Sequence, residues 1–89
     1  MKKYNVEFSK PALRDLKRLD VDTRMIILSY INKHLVGTTN PRSEGKQLKG
    51  KLVKFWRYRI GDYRILCEIQ DERIVVIVIK IGHRREVYE

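Results

Sequence analysis

The residues best suited to chemistry lie in two segments rich in arginine and tyrosine. One is Phe55-Trp56-Arg57-Tyr58-Arg59-Ile60-Gly61-Asp62-Tyr63-Arg64. The other, Ile81-Gly82-His83-Arg84-Arg85-Glu86-Val87-Tyr88, follows directly on an all-apolar run over residues 74–79. A guanidinium keeps its charge throughout the physiological range and offers a planar fork of donors that fits phosphate oxygens two at a time. Delivered from the ends of buried strands, where a sheet fixes their direction, such groups make a phosphate-handling site.

The charge of the whole chain points the same way. Its 89 residues carry 20 Lys and Arg against 11 Asp and Glu, a formal charge of +9. Residues 42–64 hold Arg42, Lys46, Lys49, Lys51, Lys54, Arg57, Arg59 and Arg64 against only Glu44 and Asp62, so +6 of the +9 is concentrated there. A solvated face mixes both signs, whereas one sign crowded over a loop and the strand after it makes an anion-binding surface. Nucleic acid is the commonest polyanion such a field attracts, and Lys46, Lys49, Lys51 and Lys54 are expected to steer RNA backbone.

These groups need a frame, and hydrophobic periodicity supplies one. Residues 3–8 alternate Tyr4, Val6 and Phe8 with Asn5 and Glu7, the pattern of a half-buried strand. Ser9 is a natural N-cap with Pro11 in the first turn, and Leu13, Leu16 and Leu19 recur at helical spacing. Asp20 or Asp22 caps a second helix, whose apolar stripe is predicted as Met25, Leu28, Ile31 and Leu35 and whose end is Gly37. Residues 38–51 hold Pro41, Gly45 and Gly50 and little that is apolar, so they read as a functional loop. Strands are predicted over 53–60, 63–69 and 74–81, with turns at Gly61-Asp62 and over 70–73. On the first of these, strand period places Phe55, Arg57 and Arg59 on one face and Trp56, Tyr58 and Ile60 on the other. The run over 74–79, apolar on both faces, marks an interior strand. The expected fold is α+β, in the order β-α-α-β-β-β, with an antiparallel sheet and an αα-hairpin packed on one face.

Length and composition bound the rest. Residues 1–89 form one small domain with a thin core. Cys67 is the single cysteine, so neither a disulfide nor a cysteine-based metal site is available within the chain. His34 and His83 lie far apart without carboxylates at ligand spacing, so no metal and no other cofactor is expected, and His34 reads as a polar-face residue of the second helix. No apolar run reaches the length of a membrane span, and Met-Lys-Lys-Tyr-Asn-Val has no signal core. A soluble, cytoplasmic protein is the expectation.

The element order, Gly50, the pattern Arg57-x-Arg59-x-Gly61-Asp62-Tyr63-Arg64-Ile65-Leu66 and the ending Gly82-His83-Arg84-Arg85-Glu86-Val87-Tyr88 together resemble the RelE/ParE superfamily of type II toxins, over nearly the full length. Within it the chain is more similar to RelE. That resemblance implies a ribosome-dependent endoribonuclease that cuts messenger RNA in the A site. It also implies silencing by an acidic, RelB-like cognate antitoxin, through which an oligomer forms. Arg64 and Arg84 match arginines assigned to phosphate and transition-state contacts, and Tyr88 matches a tyrosine near the reacting hydroxyl. Arg57 and Arg59 fall where the best-known RelE proteins carry two lysines. This departure matters, because arginine does not give up its proton: here the pair stabilises charge and is a poor base.

Metal-independent RNA cleavage needs a base for the 2′-hydroxyl, an acid for the leaving oxygen and cations around the crowded phosphate. Arg57, Arg59, Arg64 and Arg84 supply the cations, with Arg85 as a further RNA contact. Two residues stay open as the base. The Tyr88 phenol starts near a pKa of about 10 and is drawn towards use by Arg84 and Arg85, while His83 starts close to the working range. The resemblance ranks Tyr88 first, and Gly82 leaves the direction of His83 undetermined. Plainer roles compete: Trp56 and Tyr58 as core, Arg64 paired with Asp62 or Glu68, Tyr88 packed on the sheet. Two rival classes share these features, a ParE-like inhibitor of DNA gyrase without nuclease activity and a non-catalytic RNA-binding module.

Overall fold

Ser9 opens the first helix: its Oγ accepts the Ala12 N–H at 3.1 Å, and Pro11 sits in the first turn, where no intrahelical bond is lost. The computed structural model describes residues 1–85. A strand β1 (Asn5–Phe8) leads into α1 (Lys10–Arg18) and α2 (Val21–His34). Asp20 caps α2 by accepting the Thr23 N–H at 3.2 Å. Arg24 closes the corner between the helices, donating from its guanidinium to the carbonyls of Leu16 and Leu19 at 3.0 Å each. The Leu16 carbonyl also accepts the Leu19 N–H at 3.2 Å, so Arg24 adds a second bond at the end of α1 and ties Leu19 to it.

The faces that these helices bury match the predicted stripes only in part: Leu16, Ile31 and Leu35 are buried as expected, and others are not. On α1 the buried pair is Ala12 and Leu16, whereas Leu13 is half exposed. On α2 Ile27 and Ile31 go inward, followed by Leu35, while Met25 and Leu28 stay outside with Val21 and Ile26. Residues 25–28 are apolar almost all the way round the helix, so periodicity offered two stripes. Contact with the sheet selected the one through Ile27, so Ile31 and Leu35 are buried as expected while Met25 and Leu28 are not.

Beyond α2 come β2 (Lys46–Gln47), a 3-10 turn (Gly50–Leu52), β3 (Phe55–Ile60), β4 (Tyr63–Gln70) and β5 (Val75–His83). The sheet order is β1-β5-β4-β3-β2. β3, β4 and β5 form the expected antiparallel meander, but β1 joins the outer edge of β5 in parallel, Asn5 opposite Val75 through Phe8 opposite Val78. The sheet is therefore mixed, not all antiparallel. α1, directly after β1, rests on β5, and the long connection from β1 to β5 through both helices and the meander permits their parallel pairing. The predicted loop over 38–51 is also partly structured, since Lys46 and Gln47 pair with Arg57 and Trp56.

Both helices cover one face of the sheet. Tyr58, Ile65, Cys67, Val76, Val78 and Ile81 meet Ile27, Ile31 and Leu35 there, and burial drives the Cys67 thiol upward and keeps it inert. Trp56 packs on this core and donates from Nε1 to the Glu44 carbonyl at 2.7 Å, while Tyr58 donates its hydroxyl to the Pro41 carbonyl. Both aromatic residues thus take the core role and tie the loop before β2. Gly45 completes that tie: at φ +81° its backbone lies so close to β3 that a Cβ would stand 2.4 Å from the Arg57 carbonyl oxygen. Only glycine fits such an approach. Among the described residues no helix is long and apolar enough to cross a membrane.

Candidate functional site

β4 and β5 lose step once. Leu66 faces Lys80 and Cys67 faces Val78, so Ile79 is an extra residue, a bulge in β5. Two side chains of the first helical segment satisfy the backbone there: Ser9 Oγ donates to the Ile79 carbonyl at 2.8 Å, and Asp15 Oδ2 accepts the Ile81 N–H at 2.9 Å. Val78 and Ile81, an odd number of residues apart, can then both enter the core, while Lys80 turns to the face without helices.

Register now assembles that open face. Across the sheet run Lys46, Arg57, Leu66 and Lys80, each opposite the next, and beside them Arg59, Arg64 and Gly82. Alternation along each strand puts these side chains on the opposite side from Tyr58, Ile65 and Ile81. Arg57 is 7 % exposed and Arg64 2 %, whereas Arg59, Lys46 and Lys80 are exposed. Arg64 is held by the hairpin itself, its Nη1 donating to the Gly61 and Tyr63 carbonyls at 3.1 Å each. Asp62 faces Arg84 at 3.9 Å and accepts the Arg84 N–H on its backbone oxygen at 2.8 Å. That ion pair is half exposed and worth little, so Arg84 keeps its charge available at the strand end.

The lysines of the second sheet edge gather close by. Lys46, Lys49 and Lys51 line a surface cleft of about 620 Å³ with Arg57, and beneath them Leu48 and Leu66 form a small apolar cluster joined by Leu52 and Phe55. Lys54 lies outside this cleft lining, its Nζ 5.2 Å from the centre of the Phe55 ring. Arg85 is exposed beyond the end of β5.

The candidate bases separate. β5 continues through His83, which stands opposite Tyr63, makes an edge-on ring contact at 5.6 Å and accepts the Arg85 N–H on Nδ1 at 3.3 Å. Its strand parity is that of Ile81, so it lies on the helix side of the sheet, away from Arg57, Arg59 and Arg64. Tyr88 lies outside the described residues. Tyr30 and Tyr58 offer no substitute, because burial raises both phenols well above their ordinary range. His34 takes up a structural tie: its Nδ1 is 3.0 Å from Glu44, whose other oxygen accepts the Tyr30 hydroxyl at 2.8 Å.

Lys80 is the residue that sequence reading missed. Strict alternation from Val78 would bury its ammonium in the core, where an unpaired charge is very costly. That conflict is itself the sequence signal for a bulge.

The chain matches the family of the ParE toxin of type II toxin-antitoxin systems over residues 6–88. It is 31% identical over 85 residues to toxin RelG of Mycobacterium tuberculosis, covering 96% of this chain and 95% of that protein. Against the mRNA interferase toxin RelE of Escherichia coli it is 32% identical over 89 residues, covering 96% and 90%. Its fold superposes on a chain of the Mycobacterium tuberculosis toxin-antitoxin complex RelBE2 with a TM-score of 0.83, at 29% identity and 94% coverage of both. The isolated Escherichia coli RelE toxin gives 0.73 at 26% identity, covering 90% of this chain and 83% of that one. With the same helix pair, the same mixed sheet and a cationic open face, this chain belongs to the RelE/ParE superfamily of type II toxin-antitoxin toxins and is RelE-like within it.

Proposed function

We propose that the chain is a metal-independent endoribonuclease that cuts messenger RNA on the ribosome. The observation that carries this reading is the convergence of Arg57, Arg59 and Arg64 on one sheet face, with Lys46 and Lys80 beside them and Arg84 at its end. The name of its Escherichia coli relative, an mRNA interferase, supports the same reaction class. In the reaction the 2′-oxygen attacks the adjacent phosphorus, the bond to the 5′-oxygen breaks with that oxygen taking a proton from water, and negative charge builds on the non-bridging oxygens. Arg64, buried at 2 % exposure and held by two hairpin carbonyls, is assigned a share of that charge. Arg84, Arg57 and Arg59 complete the cationic cradle, and Lys46, Lys49, Lys51, Lys54 and Arg85 hold the strand on either side. Tyr88 is assigned the proton of the 2′-hydroxyl, since His83 lies on the other face.

The partner proposed for the resting state is an acidic, RelB-like antitoxin, with the oligomer built through it in the cytoplasm. The +9 charge and the apolar residues Val21, Met25, Ile26 and Leu28 left outside on α2 give such a segment both ionic and apolar seats. The test is primer extension on a translated message, with and without ribosomes, for the parent and Arg84→Ala. Ribosome-dependent breaks that fall about 10²-fold in the variant support the reading. An uncut message alongside blocked DNA supercoiling assigns the chain to gyrase inhibition instead, the activity that the resemblance implies for ParE-like members.

A further inference from the structure

We propose that Lys80 is a catalytic residue of the open face, the general acid that relays a proton from water to the departing 5′-oxygen; the idea rests on the endoribonuclease reading. An alkoxide leaves poorly, and a proton delivered as its bond breaks is worth about 10²-fold or more. The arginines of this face, Arg57, Arg59 and Arg64, stabilise charge but keep their protons throughout the working range. In the strands of the sheet the lysines are Lys46 and Lys80, and the fold treats them differently. Lys46 sits on β2, two residues long at the outer edge and two strands away from β4 and Arg64. Lys80 sits on β5, an interior strand, opposite Leu66 and so diagonal to Arg64, a separation of roughly 7–8 Å that long side chains span. One residue, Leu66, separates it from Arg57 in the cross-strand row, and its strand ends one residue before Arg84. Its side chain is exposed, so a bound message can reach it.

Lys80 is also the residue that the β5 bulge aims. The Ile79 carbonyl accepts from the Ser9 hydroxyl at 2.8 Å and the Ile81 N–H donates to Asp15 at 2.9 Å, so the backbone on both sides of Lys80 is pinned by the α1 segment. Bulges beside active sites re-aim a side chain in this way. A cation needed for its charge alone can stand anywhere along the rim, as the exposed Arg59 and Lys46 do, whereas a proton donor needs a fixed direction towards one atom. The step balances with water as the final source of the proton. The bond from phosphorus to the 5′-oxygen breaks with its electron pair going to oxygen, and a lone pair on that oxygen takes a proton from Lys80 Nζ. The neutral amine recovers a proton from water, and the hydroxide so formed takes up the one that the 2′-hydroxyl gave away. The products are a 2′,3′-cyclic phosphate and a 5′-hydroxyl.

The test uses two synthetic messages on ribosomes that differ in one atom at the site mapped by primer extension: oxygen or sulfur in the 5′-bridging position. A thiolate leaves without a proton, so sulfur makes a general acid dispensable. Lys80→Arg and Lys80→Gln should each slow cutting of the oxygen message about 10²-fold, yet cut the sulfur message near the parent rate. Arg84→Ala should stay slow on both. Urea midpoints of the two Lys80 variants should match that of the parent, because the side chain is exposed. Cutting of the oxygen message at the parent rate by Lys80→Arg would reduce Lys80 to a charge and overturn the proposal. So would slow cutting of both messages by both variants, which would make Lys80 a phosphate contact. Either result would leave the cleavage reading standing. Messages left uncut by the parent protein itself would remove that reading, and the role of Lys80 with it.

Discussion

The two faces of the central sheet are written in alternate letters of the same three strands, yet they obey opposite rules. On the helix side Tyr58, Ile65, Cys67 and Val78 are completely buried, with apolar neighbours throughout. On the open side Arg59 stands directly opposite Arg64, and Arg57 opposite Leu66. Like charges in facing positions weaken a sheet. One face supplies apolar stability while the other gathers like charges, and changes to the two should produce separable effects.

Neighbouring residues test that separation most sharply. Ile65→Ala should lose about 2–5 kcal/mol in urea unfolding, because it empties a fully enclosed place in the core. Its intrinsic cleavage, measured where the protein is still folded, should stay near the parent value. Arg64→Ala, one residue earlier on the other face, should slow cleavage about 10²-fold while the folded state persists. If both variants lose stability and rate in the same proportion, the two faces are not independent. Asp15→Ala tests the joint between them: the Ile81 N–H loses its acceptor, and a cost of roughly 1–3 kcal/mol should come with weaker RNA binding as Lys80 and Arg84 lose their aim. Asp15→Asn keeps an acceptor oxygen and should restore both, whereas a purely electrostatic role for Asp15 would leave the Asn variant as impaired as the Ala one.

The smallest effect belongs to acid, and to neither face. Asp71 accepts from Arg42 at 3.0 and 3.1 Å and from the Tyr4 hydroxyl at 2.7 Å, and these hydrogen bonds, that from Arg42 first, hold its carboxyl below the usual range. A carboxyl whose pKa is depressed in the fold contributes stability above its unfolded pKa of about 3.9, and that contribution fades as pH falls through the lower folded value. The difference in urea midpoint between the parent and Asp71→Asn should therefore be present at neutral pH and shrink below about pH 4. A difference that grows with acid would contradict this sign.

Strand period is a local property, and wherever it ruled, the sequence could be read directly. Phe55, Arg57 and Arg59 part from Trp56, Tyr58 and Ile60 as predicted, because no bulge interrupts β3. The buried side of α2 was hidden because Met25, Ile26, Ile27 and Leu28 give the helix apolar surface in almost every direction. The parallel placement of β1 was hidden too, since it depends on where α1 comes to rest. His83 could not be oriented from Gly82 alone; pairing with Tyr63 fixes it on the helix side. Lys80 escaped because one extra residue, Ile79, shifts the parity of everything after it.

Pairing of β1 with β5 also sets an order in time. About seventy residues separate Asn5 from Val75, and helix α1 has no strand to rest on until β5 arrives. Contacts so distant along the chain make folding slow, and a polypeptide emerges from its N-terminal end. While residues 75–83 are still being joined, the sheet lacks its interior strand and the cationic row lacks Lys80. A copy whose synthesis stops before residue 75 therefore leaves a fragment with open strand edges and no assembled cationic face, prone to aggregation.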